Sequence, residues 1–294
     1  MQSRNRILTT VIILFLILST VLTGCGGTKK AGIDIPEEDM PNIIDVSETE
    51  KEVYFKREGL NIYGKVFLPE GDGPFPTIVL FSGFKGSYSA FRDVSKKLVQ
   101  NGIASVACDY IGYTSPTKSY GEPTDMTLES LSKDAISVIN ELSLIPEIDM
   151  DRIYLMGHSY GGLVATNIAT EYPKRICGLI GLEPAYQMPQ DFIEYFQDES
   201  EIKDVIYQPI YVSGQFAKEM RNFDPYAKMP EYKGPVLIIG GGKAPSIGAE
   251  KLEILEKAID TLPNAELVIV EEADHGFSPK GRDKLIELVQ KFVK

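Results

Sequence analysis

The sequence predicts an α/β fold: a mostly parallel, eight-stranded sheet with helices on both faces and a small cap inserted late in the chain. Two observations predict it. From residue 51 onward, short continuous apolar runs alternate with segments of helical spacing, and a strand buried on both faces reads as such a run. Residues 184–233 then break the alternation. They are rich in Tyr, Phe, Gln, Asp and Pro with no clear buried strand, and an insertion of that length in an α/β sheet reads as a functional cap.

Taken in order, Val53–Lys56 and Leu60–Leu68 form an opening hairpin or meander, and Thr77–Phe81 is a buried parallel strand. A helix is expected over 88–101, closed by Asn101-Gly102, followed by a strand at Ile103–Cys108. Thr127–Leu142 has Leu128, Leu131, Ala135, Val138, Ile139 and Leu142 on one side, the stripe of an amphipathic helix. Ile153–Met156, Ile176–Leu182, Val236–Ile239 and Glu266–Val270 are the remaining strands. Helices over 160–172, 248–261 and 280–293 follow three of them. No internal repeat or low-complexity tract interrupts this body.

The chain has 294 residues, of which 43% are hydrophobic and 24% charged, an ordinary globular balance. With 30 Lys and Arg against 42 Asp and Glu the net charge is −12, which argues against nucleic acid as the main partner. Trp is absent, and 15 Tyr and 13 Phe supply the aromatic bulk. The 3 Cys and 2 His are not spaced as a zinc site. Cys108 ends one expected strand and Cys177 begins another, and both read as small buried hydrophobes rather than as a disulfide framework.

The first 24 residues differ in composition. Arg4 and Arg6 precede an apolar run from Ile7 to Leu22, and Leu22-Thr23-Gly24-Cys25 follows. This resembles the lipobox of bacterial lipoprotein signal peptides. The resemblance implies cleavage before Cys25, lipidation of that thiol and a place on the extracytoplasmic face of the cell membrane. An uncleaved membrane helix, or a signal peptide cut elsewhere, are the alternatives; the run is short for a full span. Loss of Arg4 and Arg6 with the leader takes the charge from −12 to −14, so the lipid rather than charge would hold the protein to the membrane. The segment 25–50, with Gly26-Gly27, Pro36, Glu37-Glu38-Asp39 and Pro41, reads as a flexible tether.

Chemistry concentrates at strand-to-helix turns. Gly157-His158-Ser159-Tyr160-Gly161 is a G-x-S-x-G motif between an apolar strand and a helix. There the serine hydroxyl projects from a sharp turn, and the glycines remove side chains that would strike the neighbouring strand and helix. The helix also aims its N-terminal dipole at a developing oxyanion. His275, in Glu271-Glu272-Ala273-Asp274-His275-Gly276-Phe277, follows the last strand and is the candidate base; His158, inside the motif, is expected to point elsewhere. The turn Ser82-Gly83-Phe84-Lys85-Gly86 follows the early buried strand, and the backbone N–H groups of Phe84 and Tyr160 are candidates for an oxyanion hole.

On these residues, 51–294 resembles the α/β-hydrolase superfamily. It is most similar to the small carboxylesterases of the feruloyl and cinnamoyl esterase group. Asp109-Tyr-Ile-Gly112, Asp125-Met-Thr-Leu-Glu129, Gly234-Pro-Val-Leu-Ile-Ile239 and Ala273-Asp-His-Gly-Phe277 add to the likeness. The resemblance implies hydrolysis of a small-molecule ester through an acyl-enzyme, with no metal or organic cofactor, under a cap at 184–233. Two departures stand out. The family's His-Gly in the oxyanion turn is Ser82-Gly83 here, and Ala244 occupies the position of the family's catalytic acid. In pancreatic-type lipases the acid ends the preceding strand in a Gly-Leu-acid-Pro-Ala setting, which Gly181-Leu-Glu183-Pro-Ala185 resembles. Glu183 is therefore the candidate substitute, ahead of Asp274, Asp224 and Glu250. Tyr186, Phe192, Tyr211, Phe216 and Phe277 are candidates for an aromatic wall, each equally readable as core. A peptidase or acyltransferase would use the same serine and histidine. A chain that lost its acid at Ala244 would instead be a weakly catalytic binding lipoprotein.

Overall fold

The computed structural model describes residues 35, 37–84, 86–111, 117–207, 210–244 and 249–293. The strands are β1 (Asn42–Ser47), β2 (Glu50–Arg57), β3 (Leu60–Phe67), β4 (Phe75–Phe81), β5 (Ala104–Cys108), β6 (Ile148–His158), β7 (Gly178–Leu182), β8 (Val205–Tyr207), β9 (Ile210–Val212), β10 (Val236–Gly241) and β11 (Ala265–Val270). The helices are α1 (Arg92–Val99), α2 (Leu128–Glu141), α3 (Tyr160–Glu171), α4 (Met188–Tyr195), α5 (Gly214–Asn222), α6 (Ala249–Thr261) and α7 (Pro279–Phe292).

Nine strands form the main sheet, in the order β1-β2-β3-β5-β4-β6-β7-β10-β11. The first four of that order pair antiparallel and the rest parallel. The ninth strand corrects two expectations, the count of eight and the tether reaching residue 50. Asn42–Ser47 pairs with β2, Asp45 facing Lys51 across the ladder with an ion pair at 2.8 Å. Its β-branched Ile43, Ile44 and Val46 favour extended backbone, yet most of its side chains are exposed, so no apolar run announced it. The apolar segment 7–22, Cys25 and the first part of the tether lie outside the described residues. Among those described, no helix is long and apolar enough to cross a membrane.

Burial on both faces explains the continuous apolar runs. In β4, Ile78 and Leu80 join one cluster with Val94 and Leu98 of α1 and Leu285 and Val289 of α7. Val79 and Phe81 point the other way, into the cluster built with α2, α3 and α6. Strand order reverses at β4 and β6, because the chain leaves β4 for β5 on one side and later fills β6 on the other. The crevice beyond the strand ends at such a switch point is where open α/β sheets bind ligands. Cys108 and Cys177 form no disulfide, and β4 and β6 separate their strands.

The insert at 184–233 is folded: α4, the β8–β9 ribbon and α5, with α4 packed on α5. It is latched to the body by Glu219 of α5. Its two carboxylate oxygens accept the N–H groups of Leu128 and Glu129, at 2.6 and 2.8 Å, at the start of α2, where helix N–H groups lack intrahelical partners and the dipole favours negative charge.

Candidate active site

Ser159 stands at the turn from β6 into α3 with φ 55° and ψ −120°, a left-handed conformation that costs a non-glycine residue on the order of 1–3 kcal/mol. Four backbone hydrogen bonds hold it: Ser159 N–H to Leu182 O at 2.8 Å, and Gly162, Ala185 and Leu163 N–H to Ser159 O at 2.9, 3.0 and 3.4 Å. The turn is possible only because its flanking glycines are bare. A methyl on Gly157 would lie 2.0 Å from Gly161 O, and one on Gly161 would lie 2.1 Å from Phe81 O.

His275 arrives from the loop between β11 and α7. Lys243 N–H to Ala273 O, at 2.8 Å, ties this loop to the end of β10. Glu183 closes β7, its N–H bonded to Ile239 O at 2.9 Å and its φ at 47°. The Glu183 side chain is fully buried. One carboxylate oxygen accepts Gly241 N–H at 2.6 Å and the other lies 3.2 Å from His275 Nδ1. A buried carboxylate is tolerated only with such partners, and this one joins the ends of β7 and β10 to the histidine loop.

The other acids are engaged elsewhere. Asp274 accepts Ser278 N–H at 2.8 Å, and these hydrogen bonds to Ser278 hold its carboxyl below the usual range. Asp224 accepts Tyr226 N–H at 2.9 Å within the cap. Ala244 lies buried just beyond β10 and offers no titratable group. The Glu250 side chain falls outside the described residues. No hydrogen bond joins Ser159 Oγ to the imidazole; the two groups share one end of the sheet, and such contacts commonly tighten only with substrate bound.

His158 departs from expectation. It does not point away from the site: Nε2 lies 2.6 Å from the carbonyl oxygen of His275, and the two ring centroids are 4.7 Å apart. The cause is the period-two alternation of a strand. Tyr154 and Met156 face the cluster containing Ala273 and Phe277, and His158, two residues further, faces the loop between them. The alternation of β6 puts His158 on the face of Tyr154 and Met156, but that the His275 loop covers this face is a tertiary fact.

The Gly83 backbone passes over the elbow: a methyl there would lie 3.2 Å from His158 Nδ1 and 3.5 Å from Ser159 Cβ. Tyr110 Oη donates to Ser82 O at 2.7 Å and fixes this turn. Tyr160 is the first residue of α3, so its N–H has no acceptor within the helix. The rings of Phe84 and Tyr160 meet edge to face at 4.8 Å, and Phe216 of the cap touches both, at 5.4 and 5.8 Å.

Most of the proposed aromatic wall is therefore core. Phe192 and Phe216 are buried and pack on each other at 5.7 Å within the insert, and Phe216 in turn packs on Phe84 and Tyr160 of the body. Tyr186 is buried with its hydroxyl on Thr166 at 2.8 Å, and Phe277 is buried in the opposite cluster. Tyr211 is exposed on the ribbon and bonds Asp204. Among the described residues no group of three or more His, Cys, Asp or Glu side chains is placed to hold a metal ion.

Comparison with known proteins agrees with this architecture. The profile of the hydrolase family described as serine aminopeptidase, S33, matches residues 72–291. Esterase EstD of Thermotoga maritima is 25% identical over 286 residues, covering 87% of this chain and 67% of that protein. The structure of Est1E from Butyrivibrio proteoclasticus superposes with a TM-score of 0.69 at 21% identity, over 82% of this chain and 96% of that one. Its complex with ferulic acid gives 0.69 at 22%, over 81% and 96%. The likeness to Est1E is one of fold.

Proposed function

The chain belongs to the serine aminopeptidase S33 family of α/β-hydrolases, and from that premise we propose that it is a serine esterase that cleaves small carboxylic esters through an acyl-enzyme. The reading is carried by one observation: a buried carboxylate, Glu183, 3.2 Å from Nδ1 of His275, at the same sheet end as the strained Ser159 elbow. Glu183 holds the imidazole with its proton on Nδ1 and stabilises the charged form. His275 Nε2 takes the Ser159 proton as Oγ bonds to the ester carbonyl carbon. The N–H groups of Phe84 and Tyr160 receive the negative charge on the carbonyl oxygen. His275 returns the proton to the departing alkoxide, and water, activated by the same imidazole, releases the acid and restores Ser159.

The esterase relative EstD and the ferulic acid seen in Est1E favour a neutral or aryl ester as substrate, and the net charge of −12 disfavours an anionic one. The family description makes peptides the competing substrate. Fluorophosphonate labelling of the wild type against Ser159→Ala tests the nucleophile. A panel of p-nitrophenyl esters, methyl ferulate and aminoacyl p-nitroanilides separates esterase from peptidase. Absence of labelling in the folded wild type favours the weakly catalytic binding protein instead.

The protein is further proposed to be lipidated at Cys25 and held on the extracytoplasmic face of a bacterial membrane, on the strength of Leu22-Thr23-Gly24-Cys25 after an apolar run. Cys25→Ser then moves it from the membrane to the soluble fraction; unchanged membrane retention refutes the anchor.

A further inference from the structure

The structure assigns a role to the second histidine: we infer that His158 is a positioning residue that holds the catalytic-base loop against the nucleophile elbow. This rests on the serine-hydrolase reading above and adds to it a residue outside the Ser159, His275 and Glu183 set. The chain has 2 His, and they meet: His158 Nε2 lies 2.6 Å from the backbone oxygen of His275, with the rings 4.7 Å apart. A carbonyl oxygen only accepts, so His158 carries its proton on Nε2. Its other face abuts the Gly83 backbone, where a methyl would lie 3.2 Å from Nδ1. One imidazole, carried by the elbow after β6, thus bonds the histidine loop after β11 and faces the oxyanion turn after β4, loops that the fold brings together from separate strand ends.

The need for such a contact follows from the geometry. Glu183 fixes the His275 ring through Nδ1, but a single hydrogen bond leaves the ring free to swing about that contact. The His275 side chain is 39% exposed, so packing restrains it little. Pinning the His275 backbone from the residue adjacent to Ser159 sets the separation of base and nucleophile directly. Misplacement of a reacting group by about 1 Å costs on the order of 100-fold in rate.

The test uses the full chain with His158→Phe, which fills the ring's volume without a donor, and His158→Gln, whose amide nitrogen reaches the position of Nε2. The Phe variant is expected to lower kcat on a p-nitrophenyl ester, and the rate of fluorophosphonate labelling, by about 10- to 100-fold, with KM and melting temperature little changed. The Gln variant is expected to recover most of the loss. Long-range proton–nitrogen spectra of the imidazoles, assigned by the loss of one signal set in His158→Phe, are expected to show His158 as the Nε2–H tautomer at pH 8. If the Phe variant does not fold, His158→Asn replaces it, since the shorter amide cannot span to His275. Wild-type labelling rates in the variant without the donor overturn the inference, as does equal loss in the Gln and Phe variants, or an Nδ1–H tautomer. These outcomes leave the serine-hydrolase reading standing; an unreactive Ser159 in the wild type overturns both.

Discussion

Glu183 Oε2 lies 3.2 Å from His275 Nδ1 while Oε1 accepts Gly241 N–H at 2.6 Å. The two residues are 92 positions apart and come from different strand ends. Glu183→Gln keeps an acceptor for Gly241 and removes the charge facing the imidazole. Turnover is expected to fall by roughly 10²- to 10⁴-fold with KM nearly unchanged, as when the acid of a serine triad loses its charge. Steady-state kinetics on one ester decides it, and a loss under about three-fold removes Glu183 from the mechanism.

Gly161→Ala places a methyl 2.1 Å from Phe81 O, with Ser82 O only 2.5 Å away. Both obstacles are backbone, at the end of β4 and the start of the turn that follows it. A destabilisation of at least about 3 kcal/mol is expected, measured as a lower urea midpoint or as loss of soluble protein. A variant melting with the wild type shows that β4 and α3 are not packed this closely.

Glu141 makes stability depend on pH. It is buried, and burial chiefly, with the nearby Asp39 charge adding and the Lys56 N–H opposing, pushes its carboxyl up to about 8. The folded state holds this proton more tightly than the unfolded chain. Stability from this group therefore declines as pH rises from about 4.5 to about 8 and is level above. Glu141→Gln keeps the Lys56 contact and removes the buried charge. It is expected to gain on the order of 2–4 kcal/mol at pH 9 and nothing at pH 4, read from melting temperatures at both. Equal shifts at the two pH values refute it.

Glu219→Ala unlatches the cap. It leaves the Leu128 and Glu129 N–H groups without the carboxylate that caps α2, a loss of about 1–2 kcal/mol for a helix N-terminus. Limited proteolysis should cut within 184–233 faster than in the wild type, with the sheet intact by circular dichroism. Cleavage at the wild-type rate shows that the aromatic contacts of Phe216 hold the cap unaided.

How much of this was legible in the chain differs from residue to residue. Outside the insert, the strand and helix alternation from β2 to α7 was readable because each element buries a face and carries its period within about ten residues. β1 was not, since an exposed edge strand has no apolar run to betray it. The insert between β7 and β10 announced itself as a break in pattern, while its helices and ribbon were hidden in an aromatic-rich stretch.

Local sequence alone determined the bend at Ser159, the glycines that permit it and the histidine that follows the last strand, because backbone conformation and strand period are set by near neighbours. Only the folded arrangement decided which acid meets His275, that His158 faces the same loop, and that Phe192 and Phe216 are packing rather than an open wall. Those relations depend on strand order and on the register of β7 against β10, and residues far apart in the chain have no local signal for either.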